Sequence, residues 1–158
     1  MSLRLLFIRH GLSSFNIERK IQGRNDLSSL TSQGITQAQK TGQALSKLQI
    51  NTIYSSPLGR ASATTMNLIK EIKNHPKPIF DNGLLEIDLG KWSGLTSEEV
   101  QRTFPKEYKQ WQEEPSQLII QRENGEEFKP IEELICQAKD FLRRLLINHP
   151  IENNQTVL

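Results

Sequence analysis

The chain has 158 residues, 35% of them hydrophobic, which is enough to bury one core and excludes a disordered tail. Twenty lysines and arginines face eighteen acidic side chains for a formal charge of +2, and no long block of one sign occurs, so the surface reads as mixed and solvated and no nucleic-acid partner is expected. Cys136 is the single cysteine, which excludes an internal disulfide and a multi-cysteine metal cluster and suits a reducing compartment.

In chain order, Leu3 to Ile8 form a short continuous apolar run, the pattern of a strand covered on both faces. It runs straight into Arg9, His10 and Gly11. After "LTSQG", Ile35, Ala38, Gly42, Leu45 and Leu48 recur on one helical face, with Thr31 or Ser32 as the cap. "NTIYSS" reads as a second strand, and Ser56 with Pro57 as the cap and first-turn proline of a helix carrying Leu58, Ala61, Leu68 and Ile72. The glycine-punctuated "PIFDNGLLEIDLGKWSGL" predicts a short strand and a long irregular segment. Thr96 and Glu99 have capping-box spacing, so a helix begins there and is interrupted or restarted at Pro105. Trp92, Phe104, Tyr108 and Trp111 read as helix packing in this region.

The last helix has the clearest periodicity. Ile131, Leu134, Ile135, Ala138, Phe141, Leu142, Leu145 and Leu146 fall within an arc of roughly 140° at 100° per residue, with Cys136 outside it. His75 and His149 each stand in "NHP" after a helical pattern, where Asn caps, a charged imidazole favours the helix C-terminus and Pro stops the helix. "TVL" then begins another strand. The opening apolar run is broken too early for a signal peptide and no later run reaches membrane-spanning length, so no membrane partner and a cytoplasmic location are expected. Alternating strands and helices without linkers or repeats predict one domain over residues 1–158: an α/β, three-layer α/β/α sandwich with a mostly parallel central sheet. In such sheets ligands collect beyond the carboxyl ends of the strands, which places Arg9 and His10 at the rim of a pocket, with Gly11 permitting a sharp turn.

Four ordered blocks, "RHGLSSFN", "IQGRNDLSSLTSQGITQAQ", "IYSSPLGRASAT" and "LLEIDLGKWSGLT", together resemble the histidine phosphatase superfamily, also called phosphoglycerate mutase-like. Leu12 stands where the family often has an acidic residue. The family also places a second histidine just after a late strand, and this chain stops inside that strand at "TVL", so the resemblance implies a C-terminally incomplete domain.

The resemblance implies phosphoryl transfer, which needs a nucleophile, fixed positive charge around the phosphate oxygens and a proton donor for the leaving oxygen. His10 is the implied nucleophile, forming phosphohistidine; a neutral imidazole attacks phosphorus near pH 7 because its ordinary pKa is about 6.5. Arg9 and Arg60 bind the phosphoryl oxygens as planar forks, and Glu86 serves as acid and then base. Asn16 and Ser13 are expected to donate to phosphate oxygens, while Gln22 and Gly23 line the mouth. With two arginines supplying the charge, no metal or cofactor is expected, and the partner is a small-molecule phosphoester. The spacing between the glutamate block and the last strand favours a phosphomonoesterase. Phosphoglycerate mutase is the alternative within the family, and a non-catalytic phosphoester-binding module, lacking the second histidine, is the alternative of another class.

Overall fold

The computed structural model describes residues 2–158. Its centre is a set of short parallel strands: β1 (Arg4–Leu5), β2 (Tyr54–Ser55), β3 (Ile79–Phe80) and β6 (Thr156–Val157). β1 pairs with β6, Val157 bridges on its other side to Thr52 just before β2, and β2 pairs with β3. The order is therefore β1, β6, β2, β3, all parallel. "TVL" lies inside the sheet, held on the β2 side by bonds from Tyr54 N–H to the Leu158 carbonyl (2.7 Å) and from Leu158 N–H to the Thr52 carbonyl (3.0 Å).

Two helical layers cover this sheet. On one face α2 (Ser32–Leu45) and α3 (Gly59–Ile69) pack on each other over Ile50, Ile53, Leu68, Ile69 and Ile72. Gly42 sets their separation, because a Cβ there would collide with the Leu68 carbonyl oxygen. On the opposite face α6 (Pro130–Asn148) seats Phe141 and Leu145 against Val157, Leu3, Leu5, Tyr54 and Leu84. This is the expected three-layer α/β architecture.

Residues 87–128 build a separate apolar cluster beside the sheet. It contains α4 (Ser97–Thr103), α5 (Pro105–Glu113) and the antiparallel hairpin of β4 (Ile120–Gln121) and β5 (Glu127–Phe128). Leu89, Trp92, Val100, Leu118, Ile120 and Phe128 are its buried centre, and Trp92 meets Trp111 edge to face at 6.1 Å. The expected Thr96–Glu99 capping box starts α4, and Pro105 restarts the chain as α5. The hairpin lies outside the sequence reading. Its signal was the Asn124–Gly125 pair, with Gly125 at φ +89° where a turn demands it.

Four expectations are corrected. The first strand covers Arg4–Leu5 rather than Leu3–Ile8, since β6 runs beside it only as far as Val157; Phe7 is 79% exposed, not covered on both faces. The third helix begins at Gly59 without a Ser56 side-chain cap, because Asp26 from a distant loop accepts the Gly59 N–H at 2.6 Å. The last helix buries one edge of its apolar arc, seating Phe141 and Leu145 on the sheet and leaving Ile135, Leu142 and Leu146 exposed. His149 does end α6, yet it is buried rather than solvated: its Nδ1 meets Gln155 Oε1 at 2.7 Å and its Nε2 meets the Tyr54 hydroxyl at 3.2 Å.

Candidate active site

The loop after β1 is held by contacts from both neighbouring helices. Thr31, the N-cap of α2, accepts from Gly34 N–H and donates its hydroxyl to the Leu12 carbonyl, both at 3.0 Å. Gln37 Oε1 accepts the Leu12 N–H at 2.9 Å, and Thr64 of α3 accepts the Gly11 N–H at 3.0 Å. Gly11 and Gly34 lie backbone to backbone: a Cβ on Gly11 would strike the Gly34 carbonyl, and one on Gly34 would strike that of Leu12. Gly11 does not have a positive φ. Close approach, rather than the expected sharp turn, is what excludes a side chain there.

His10 is half-buried at the end of this loop. Its Nδ1 lies 2.8 Å from the Gly11 carbonyl, an oxygen that only accepts, so Nδ1 carries the proton and Nε2 keeps the lone pair. Burial holds the imidazole below its ordinary pKa of 6.5; the Gly11 hydrogen bond opposes this, Arg60 and Arg9 add to it, and Glu86 opposes it. The neutral nucleophilic form is thereby favoured.

Arg60, in the first turn of α3, is 1% exposed. Its guanidinium donates to the Gly23 carbonyl at 2.7 Å and the Asn25 carbonyl at 3.0 Å. Two of its five N–H groups thus hold the 23–26 loop. Burial lowers its pKa, opposed by Glu86 and Asp26, so the group stays cationic at neutral pH. Arg9 is exposed in the loop that follows β1.

Glu86 follows a 3-10 turn over Asn82–Leu84 that is docked on α6. Gln137 Nε2 donates to the Leu85 carbonyl at 2.8 Å and the Gly83 carbonyl at 3.3 Å. Arg24 donates from Nε to the Glu86 carbonyl at 3.1 Å and from Nη2 to Gln137 Oε1 at 2.7 Å.

A cavity of about 330 Å³ brings together Arg9, His10, Arg60 and Glu86 from three segments. Ser13, Asn16, Gln22 and Gly23 do not line it. They form an adjoining group, joined to it through the Arg60–Gly23 bond. Ser13 is fully buried as the N-cap of α1 (Ser14–Ile17), so its hydroxyl faces protein. Its N–H donates to Asn16 Oδ1 at 3.1 Å and its hydroxyl lies 3.0 Å from Gln22 Oε1. The Ser13 N–H therefore fixes the Asn16 oxygen as acceptor and leaves the Asn16 NH2 as a donor, while the single hydroxyl proton of Ser13 is shared between Asn16 Oδ1 at 2.8 Å and Gln22 Oε1. Sequence reasoning missed Arg24, Asp26, Gln37, Thr64 and Gln137. Only Thr64, one helical turn beyond Arg60, carried a local signal.

Residues 5–158 match the family model of the histidine phosphatase superfamily, branch 1. The chain belongs to that superfamily. Phosphoserine phosphatase 1 of Hydrogenobacter thermophilus is 35% identical over 156 residues, covering 99% of this histidine phosphatase chain and 69% of its own length. A 2-carboxy-D-arabinitol-1-phosphatase of Triticum aestivum is 32% identical over 143 residues, covering 90% of this chain. The chain spans only 28% of that plant relative's length. Among solved structures, Bacillus stearothermophilus YhfR superposes with a TM-score of 0.82 at 30% identity, covering 99% of this chain and 71% of that one.

Proposed function

We propose that residues 1–158 act as one histidine phosphatase domain that hydrolyses small phosphomonoesters through a phosphohistidine on His10. The observation that carries this reading is the gathering of Arg9, His10, Arg60 and Glu86 around one cavity, with His10 held as the tautomer whose Nε2 lone pair is free. The relatives that align along most of the chain carry phosphatase names.

The steps follow from the groups. His10 Nε2 attacks phosphorus in line, forming the N–P bond as the P–O bond to the alkoxide breaks. Glu86, protonated, gives its proton to that oxygen and the alcohol leaves. The Glu86 carboxylate then takes a proton from water as the water oxygen attacks phosphohistidine, releasing inorganic phosphate and neutral His10. Arg9 and Arg60 offset charge on the phosphoryl oxygens. The NH2 group of Asn16, aimed by Ser13, supplies a neutral donor at the edge of the site beside Gln22, and the Gly23 carbonyl holds Arg60 in place.

Assay of the natural full-length protein with p-nitrophenyl phosphate, O-phosphoserine and 3-phosphoglycerate tests the reading. Phosphate release is expected, with an acid-labile, alkali-stable phosphoryl adduct on quenching, and both vanish in His10→Ala. Mutase turnover exceeding phosphate release would overturn the phosphatase reading. Tight phosphate binding without turnover would favour a binding module.

A further inference from the structure

We infer that Gln137 and Arg24 are positioning residues that set the Glu86 carboxyl against the leaving oxygen, an inference that rests on the proton-donor role proposed for Glu86. Glu86 sits in an irregular segment, where no helix or strand ladder fixes its backbone. Three hydrogen bonds onto three carbonyls do so instead. Gln137 reaches Gly83 and Leu85, Arg24 reaches Glu86 itself, and the Arg24–Gln137 bond closes the clamp. The polarity of the Gln137 amide is determined, since two carbonyls require its NH2 and a guanidinium requires its oxygen. A second tie holds the same turn on α6, where Arg144 donates to both oxygens of Asp81 at 2.8 and 2.9 Å. That tie lies at the far end of the turn and bears on its anchoring rather than on Glu86.

The clamp holds Leu85 and Glu86, which line the cavity. Arg24 lies one residue beyond Gly23, whose carbonyl takes the Arg60 guanidinium, so the charge that binds phosphate and the acid that serves the leaving group share one short loop. Loss of the clamp leaves Glu86 present but mis-set. A displacement of about 1 Å at a reacting group commonly costs about 10²-fold in rate.

The test is leaving-group dependence in the full-length protein. General acid catalysis matters for a poor leaving group and little for a good one, so Glu86→Gln is expected to lower kcat/KM, which reports the phosphorylation step and not the later attack of water, by about 10²-fold or more with an alkyl phosphate such as O-phosphoserine. With p-nitrophenyl phosphate its loss is much smaller. Gln137→Met, which keeps the side-chain volume, is expected to show the same pattern at about tenfold, with unchanged inhibition by inorganic phosphate. In a Glu86→Gln background it should cost nothing more. Arg24→Met removes the clamp from its solvent side and serves if Gln137→Met fails to fold. Equal losses with both substrates, or a further loss in the Glu86→Gln background, would overturn the inference. Absence of leaving-group dependence in Glu86→Gln itself would instead overturn the role given to Glu86.

Discussion

His10 shows how much one residue owes to its neighbours. "RHG" marks a polar break at a strand end, but its proton position is set by the Gly11 carbonyl and its charge state by burial with two arginines. Because the folded-state pKa is lowered, the imidazole loses its proton below pH 6.5 and remains the attacking species through neutrality. Titration followed by NMR should place His10 below 6.5, and Arg9→Ala should raise that value by removing one repelling charge. A His10 titrating above 6.5 would contradict the electrostatics described here. Ser13 teaches the opposite lesson. Read as a phosphate donor, it proves fully buried and acts on Asn16 and Gln22 instead, because its side chain is the N-cap that starts α1.

At the scale of elements, the helices with local signals are where the sequence placed them. Thr31 caps α2, Thr96 and Glu99 box the start of α4, and Pro105 opens α5, since each depends on residues within one turn. The start of α3 does not. Its first N–H is accepted by Asp26, and the same helix terminus presents Arg60. Asp26→Ala should lower stability by about 0.5–2 kcal/mol, read by urea denaturation, while Asp26→Asn retains most of it. An unchanged midpoint in Asp26→Ala would mean that solvent caps this terminus as well as Asp26 does.

Across the whole molecule, the sheet and the 87–128 cluster are separate apolar bodies joined partly by Arg122. Its guanidinium lies 3.8 Å over the Phe128 ring, pairs with Asp88 and reaches Glu133 of α6 at 2.6 Å. The node ties the hairpin to the loop beyond Glu86 and to the last helix. Its exposure limits its contribution to global stability. Arg122→Met should therefore change the unfolding midpoint little but speed amide exchange in residues 118–128 relative to the β1 and β6 core. Uniform acceleration everywhere would show that the node holds the whole fold rather than this junction.

The order of the parallel strands and of the helices α2 to α6, the α/β class and the site block "RHG" were legible in the sequence because apolar periodicity and capping act over a few residues. Arg60 and Glu86 became legible only jointly, through four ordered blocks, since each alone reads as an ordinary surface charge. The remaining features were decided by tertiary structure. The Gly11 amide finds Thr64 at a separation of 53 residues, Gly59 finds Asp26 at 33, and Leu85 finds Gln137 at 52. No local pattern announces such partners, because a backbone group left over at a helix start or an irregular turn takes whichever side chain the packed layers bring within about 3 Å.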